Sequence, residues 1–466
     1  MELRIDRQAM VPVVQQIVDG LTDWILQSGV PPATRLPSVR QIARGNLLSQ
    51  SCVVEACERL VSQGVLTARQ GAGFVVAASP STLNADEELT PFLGRHAWCD
   101  AVCAVAGGLK LGAGGLPQSW REPDDLSYAL REVARTDMAS LFNYSSPLGL
   151  PALREQIAKR LKTLNIEARS TQLLSTGGAS HALDLIVRTL FKAGDCVIVE
   201  TPGYAPLFEL LRLHGVRMLE VRRTPSGPDL DMLEALLRQY QPSALFINSH
   251  HHNPTGSCLT PAVAQHILQL SKTYDLRVIE DDVYADWHTG NGVRLAALDD
   301  DGRVIYVGSF SKTLSSSLRV GFVVAESELV TRLAQVKMIS GLGCSRFCEA
   351  VLASLMATGA YRKLVQRQRQ RLNADRAAAL QALEDAEWEI FGKPVGGLFI
   401  WARSRMNDQE GVRQQAQRCG VVLSAADAYS PSGETGDWHR INVAYACDPR
   451  ARQFFRSTAV DRPQAF

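Results

Sequence analysis

Apolar residues recur with a helical period at the start of the chain and in short, strand-like runs further on. Val13, Val14, Ile17, Val18, Leu21, Trp24 and Ile25 share one helical face, and Gly29 with Pro31 and Pro32 ends the pattern. The spacing predicts a short second helix through Val39, Ile42 and Ala43, with Ser38 as its cap. A third is predicted from Ser49 or Ser51 through Val53, Val54, Cys57, Leu60 and Val61 to Gly64. Val65–Thr67 and Phe74–Val76 then flank a glycine-bearing turn and read as a small hairpin. Three short helices and a hairpin make an α+β winged helix-turn-helix over residues 1–78.

From Ala77 to about Glu88 the residues are small and polar without periodicity, which predicts a linker, drawn over 79–105. Further on, apolar runs alternate with helical patterns such as Ala179–Phe191 and Pro261–Tyr274. The runs are Gln172–Ser175, Cys196–Glu200, Val216–Val221, Ala244–Asn248, Arg277–Asp281, Val304–Gly308 and Val320–Ala325. Such alternation predicts an α/β domain over 106–466, with a mainly parallel seven-stranded sheet covered by helices. Sheets of this kind bind ligands beyond the carboxyl ends of their strands, so the residues just after each run are the candidates.

Composition narrows the setting. The chain has 466 residues, room for two or three domains, and its 46% hydrophobic and 21% charged residues suit a globular protein with a sizeable core. A net charge of +1 gives no global field toward nucleic acid or membrane, so any such surface is local. The ten cysteines form no CxxC pair and suit a reducing compartment; Cys99 with Cys103, and Cys344 with Cys348, read as buried thiols. No stretch has the length of a signal peptide or a membrane span, and a cytoplasmic location is expected.

The chemistry gathers behind the run Val304–Gly308, where Ser309, Phe310, Ser311 and Lys312 are followed by Arg319. An amine flanked by hydroxyls and a guanidinium is what covalently held pyridoxal phosphate needs. The amine forms a Schiff base with the aldehyde, and the other groups take the phosphate. Other run ends add to this. Gly177, Gly178, Ala179 and Ser180 open a helix, where free amides attract an anion. Tyr204 offers a ring to stack, Asn253 and Tyr284 offer partners for a phenolic oxygen, and Asp281 offers a carboxylate for a ring nitrogen. Asp282, beside it, reads as structural or solvated. The run His250, His251, His252 reads as pocket lining or packing, because consecutive side chains in an extended segment point to opposite faces; no metal site is expected.

The first segment resembles the GntR-type winged helix, through Arg35–Arg40, Val54–Leu60, Gly64–Leu66 and Gly71–Val75. The resemblance implies that Ser49, Gln50, Ser51 and Cys52 lie at base edges or phosphates in the major groove, that Arg40 holds the backbone, and that Gln70 and Gly71 follow the minor groove. This chain departs from the family at Gln50–Cys52, where an arginine and small polar residues are common. Seven arginines against six acids leave the segment a balance of only plus one, so a dimer on two half-sites is expected.

From about Tyr144 to Tyr445 the sequence resembles the fold type I pyridoxal phosphate enzymes of the aspartate aminotransferase superfamily. The resemblance implies that Lys312 carries the cofactor, Asp281 pairs with the pyridine nitrogen and Tyr204 stacks on the ring. Asn253 and Tyr284 would bond its phenolic oxygen, while Gly178, Ala179, Ser180, Ser309, Ser311 and Arg319 would hold the phosphate. It further implies a homodimer in which Tyr144 reaches the neighbouring site, and a carboxylate-binding fork at Arg440. Together the two halves resemble the MocR/GabR subfamily of bacterial transcription regulators. That implies a DNA-binding regulator sensing pyridoxal phosphate or a small amino compound; a working aminotransferase with an attached head is the alternative.

Overall fold

Helix α1 (Val13–Gln27) buries Ile17, Val18, Leu21 and Ile25, four of the seven positions on its predicted face. Helix α2 (Val39–Gly45) is set by a capping box. The Ser38 hydroxyl accepts from the Gln41 amide at 3.3 Å, and Gln41 Oε1 accepts from the Ser38 amide at 2.9 Å. Helix α3 (Gln50–Ser62) buries Val53, Ala56, Cys57 and Leu60 against the same core, and burial pushes the Cys57 thiol up to about 11, marking it as packing. Strands β1 (Leu66–Arg69) and β2 (Gly73–Val76) pair antiparallel, with Leu66 opposite Val76. The computed structural model describes residues 3, 5–6, 12–27, 30–31, 34–62, 65–69, 73–77, 108–120, 123–288, 293–406, 408–424, 426–433 and 436–459. The expected linker, Cys99, Cys103 and the wing-tip residues Gln70 and Gly71 lie outside them.

The chain divides into two units, 1–93 and 94–466. The second is built on an eight-stranded sheet: β3 (Leu173–Thr176), β4 (Cys196–Thr201), β5 (Arg217–Thr224), β6 (Gly227–Pro228), β7 (Ala244–Ile247), β8 (Arg277–Asp281), β9 (Val304–Ser309) and β10 (Gly321–Val324), in the order β3-β10-β9-β8-β7-β4-β5-β6. Strands β9, β8, β7, β4 and β5 are parallel, and β10 runs antiparallel between β9 and β3. The seven runs read from the sequence are all strands. The count of seven is corrected to eight by β6, a two-residue return against β5 whose glycine and proline carry no strand signal. Strands β3, β7, β9 and β10 are buried along their whole length, as expected where helices cover both faces.

A smaller antiparallel sheet, β11 (Glu389–Ile390), β12 (Phe399–Arg403) and β13 (His439–Asn442), packs its own core of Leu398, Phe399, Ile400, Ile441, Phe454 and Phe455. The segment at Leu109–Leu111 joins it, since the amide of Leu109 donates to Gly420 O at 2.8 Å and that of Asn442 to Leu111 O at 2.8 Å. Among the described residues, no helix is long and apolar enough to cross a membrane.

Candidate cofactor and effector site

The large sheet delivers its candidate residues along one edge. Strands β3, β4, β7, β8 and β9 point the same way, and beyond their carboxyl ends come Gly178, Tyr204, Asn253, the Asp281–Tyr284 segment and Lys312. Asn248 ties two of these ends together: its Nδ2 donates to Asp281 O at 2.6 Å and its Oδ1 accepts from the Asn253 amide at 2.8 Å. Beneath them, Arg223 is fully buried against Glu200 and donates to Asn248 O at 3.0 Å and Ser257 Oγ at 3.0 Å. The loop that presents Asn253 therefore rests on a buried ion pair.

These ends enclose a cavity of about 600 Å³, whose walls include Tyr204, Asn253, Asp281, Tyr284, Ser309 and Lys312. Lys312 Nζ donates to Gly114 O at 2.7 Å. Burial, then the charge of Arg440, holds its amine down at about 8, from an ordinary 10.5, against the opposing pull of Asp281. Asp281 is raised to about 7 by burial and by the neighbouring charge of Asp282, and its Oδ1 is buried with no hydrogen-bond partner among the described residues. Asp282 does not face this cavity: it is buried in an ion pair with Arg294 at 2.6 Å and accepts from Tyr306 at 2.9 Å, so of its two expected roles it has the structural one.

At the other end of the cavity, Gly178 caps the helix Ala179–Leu190 at φ +91°, and β10 passes so close that a Cβ on Gly321 would lie 2.7 Å from the Gly178 backbone. Arg319, itself at φ +50°, donates to Gly177 O at 2.9 Å and reaches Ser311 Oγ at 3.4 Å. Non-glycine residues seldom occupy that region, and strain of this kind concentrates at binding sites. Ala179 at the helix start, Ser180, Ser309, Ser311 and Arg319 thus all line this cavity, and helix amides beside a guanidinium suit an anion. Ser180 also hydrogen-bonds Tyr204, whose hydroxyl burial drives upward in pKa.

Arg440 comes from β13 and is buried. Its Nη1 donates to Asn253 Oδ1 at 2.8 Å, its Nη2 and Nε donate to Gly112 O, and its guanidinium lies 4.6 Å from the Phe399 ring centroid. Tyr284 is packed between Trp287 and Phe399. Tyr144 is not in this cavity; it is 77% exposed, near exposed Met138, Leu141 and Phe142. In the head, Arg40, Ser49, Gln50 and Ser51 are exposed and Cys52 is half-buried, at the start of α3 where Ser49 Oγ accepts from the Cys52 amide at 3.2 Å. Sequence reasoning missed Asn248 and Gly114. The first had a signal, a polar residue ending a buried run; the second acts through its carbonyl and had none.

A winged helix joined in one chain to a fold type I aminotransferase scaffold is the class these features define. Residues 106–453 match the family model of aminotransferase class I and II, and residues 13–76 match that of the bacterial regulatory proteins of the gntR family. The chain belongs to the aminotransferase class I and II family, with a head of the gntR family. It is 30% identical to the HTH-type transcriptional regulator YisV of Bacillus subtilis, over 86% of each chain. It is 28% identical to the probable rhizopine catabolism regulatory protein MocR of Rhizobium meliloti, over 91% of this chain and 88% of that one. Among solved structures, LysN, an α-aminoadipate aminotransferase of Thermus thermophilus complexed with N-(5'-phosphopyridoxyl)-L-leucine, superposes with a TM-score of 0.71 at 25% identity, covering 80% of this chain and 96% of that one.

Proposed function

We propose that this chain is a cytoplasmic transcription regulator that holds pyridoxal phosphate on Lys312 and adjusts its grip on DNA when the cofactor or a small amino compound occupies the cavity. One observation carries this: a lysine amine of depressed basicity and an unpartnered buried carboxylate oxygen face the same cavity, in a chain that opens with a gntR-family head. The residues fit the cofactor. Asp281 Oδ1 lacks the cationic N–H that a pyridinium supplies, and the corner at Gly178 and Arg319 suits a phosphate dianion.

Pyridoxal phosphate, when bound, supplies an electrophilic aldehyde carbon and an electron-withdrawing ring. The chain's own residues do the rest. Lys312 offers a nucleophilic amine, Asp281 would keep a proton on the ring nitrogen, and Tyr204 would stack on the ring. Asn253 Nδ2 and Tyr284 would donate to a phenolic oxygen, and Arg440, held here by Gly112 O and Asn253 Oδ1, would turn its guanidinium to a carboxylate in exchange for part of those bonds. Because the neutral amine is the reactive form and its pKa is about 8, uptake of pyridoxal phosphate by the apo chain accelerates as pH rises and levels off above about 8. Absorbance followed after mixing measures this; a rate that is flat through that pH contradicts it.

The regulator acts as a homodimer on an operator with two half-sites, with Tyr144 reaching toward the partner's cavity; the exposed Met138, Leu141, Phe142 and Tyr144 favour this. An effector resets DNA affinity only by the difference in its own affinity for the two arrangements of the heads. Arg40, exposed on α2, contacts phosphate rather than bases. Arg40→Ala therefore weakens binding by the same factor on different DNA fragments and lowers the logarithmic salt slope by about 1 per head. Fluorescence anisotropy across a salt series reads both; a loss confined to one sequence would assign Arg40 to base recognition instead.

The buried Arg440 fork also suits a working aminotransferase, the activity named for LysN. Steady formation of a 2-oxo acid from an amino donor and a second oxo acid, with DNA affinity indifferent to either, would establish that activity in place of regulation.

A further inference from the structure

Behind the cavity, the loop after β7 and the loop after β8 bring His251, Cys258 and His288 together, with one potential ligand atom from each lying within 4.8 Å of the other two. Cys258 Sγ is 3.7 Å from His251 Nδ1. Sulfur and nitrogen ligands on a tetrahedral zinc-class ion are about 3.5 Å apart, given the usual metal–ligand lengths. The position of His251 is enforced. Its backbone sits at φ +49°, and its side chain is pressed against two glycines: a Cβ on Gly396 would come within 2.2 Å of the ring, and one on Gly397 within 2.5 Å of the His251 Cβ.

Cys258 Sγ already meets the His251 amide at 3.4 Å and His251 Nδ1 at 3.7 Å, while other polar atoms of the cluster stand unused. His251 Nε2, His288 Nδ1 and the adjacent His250 Nε2 are buried without hydrogen-bond partners among the described residues, as is Asp282 Oδ1. Unsatisfied groups gathered in one place call for a ligand. We propose that His251, Cys258 and His288 bind one divalent transition cation of the zinc class, with a fourth position open to water or His250. Nitrogen and sulfur donors select such an ion over calcium or magnesium. Histidine ligates through a neutral imidazole nitrogen. Binding displaces the Cys258 thiol proton to solvent. The resulting thiolate and the Asp282 carboxylate offset the positive charges of Arg294, Arg376 and Arg369, which also act on these rings. The ion would clasp the Asn253 loop to the Asp281–His288 segment from behind, touching no residue assigned to the cofactor.

Cobalt(II) titration of the tag-free full chain after chelator treatment tests this. The expected result is one equivalent bound, with ligand-field bands of a four-coordinate ion and a sulfur-to-metal charge-transfer band. Cys258→Ser loses that band, and His288→Ala weakens binding at least about 100-fold, the upper end of what outer-shell partners cost. Pyridoxal phosphate uptake reports folding in each variant and stands or falls independently of the metal. If Cys258→Ser fails to fold, the half-exposed His288 variant decides alone. A wild-type chain without stoichiometric cobalt, or a folded His288→Ala chain with unchanged affinity, overturns the site.

Discussion

Lys312→Ala leaves a chain from which pyridoxal phosphate washes out: after dialysis its content falls from about one equivalent to below roughly a tenth, and borohydride fixes none of it to the protein. The remaining contacts explain why binding becomes reversible instead of vanishing. The helix amides at Gly178, the Arg319 guanidinium and the Asp281 carboxylate are unchanged by the substitution, so the variant still takes up cofactor at high concentration. Among the described residues Lys312 Nζ has only Gly114 O as a hydrogen-bond partner, so removing it opens one carbonyl to water and leaves the fold intact. Absorbance with phosphate analysis gives the content, and peptide mapping after reduction locates the linkage. Retention of a full equivalent by the variant would move the covalent attachment to another residue.

Arg223→Met costs about 3–5 kcal/mol of stability, because it leaves the buried Glu200 carboxylate without its counter-ion. Surface pairs in the same chain, such as Arg59 with Glu55, are exposed and contribute far less. Arg223 also donates to Asn248 O and Ser257 Oγ, so the substitution loosens the loop that carries Asn253. Cofactor affinity should fall along with stability. Adding Glu200→Gln removes the stranded charge and recovers most of the loss, the pattern a double-mutant cycle in urea resolves. A single-variant cost under about 1 kcal/mol would mean that water or a shift in ionisation already compensates Glu200.

The strand ends were legible because each pairs a buried apolar run with a polar or glycine residue out of keeping with it: Asp281 after Val278 and Ile279, Lys312 after Val304–Gly308, Gly178 after Leu173–Thr176. The capping box at Ser38 was legible at its first residue for the same local reason. What escaped depends on distant parts of the chain. Arg440 was named from the sequence, but its contact with Gly112 O across 328 positions was not, and β11–β13 form a sheet whose short strands have no period of their own. The cluster of His251, Cys258 and His288 joins two loops, and no local pattern in either loop signals the other.

The most direct test of the regulatory role selects DNA from a random pool with the full chain, then measures affinity for the selected site with and without pyridoxal phosphate and across a panel of amino acids and amines. Selected sites with two half-sites, and an affinity that changes with cofactor or one class of amine in the wild type but not in Lys312→Ala, are the predicted result. Tight, sequence-specific binding that ignores every one of these ligands would contradict it, leaving a DNA-binding head beside an uncoupled aminotransferase-like domain.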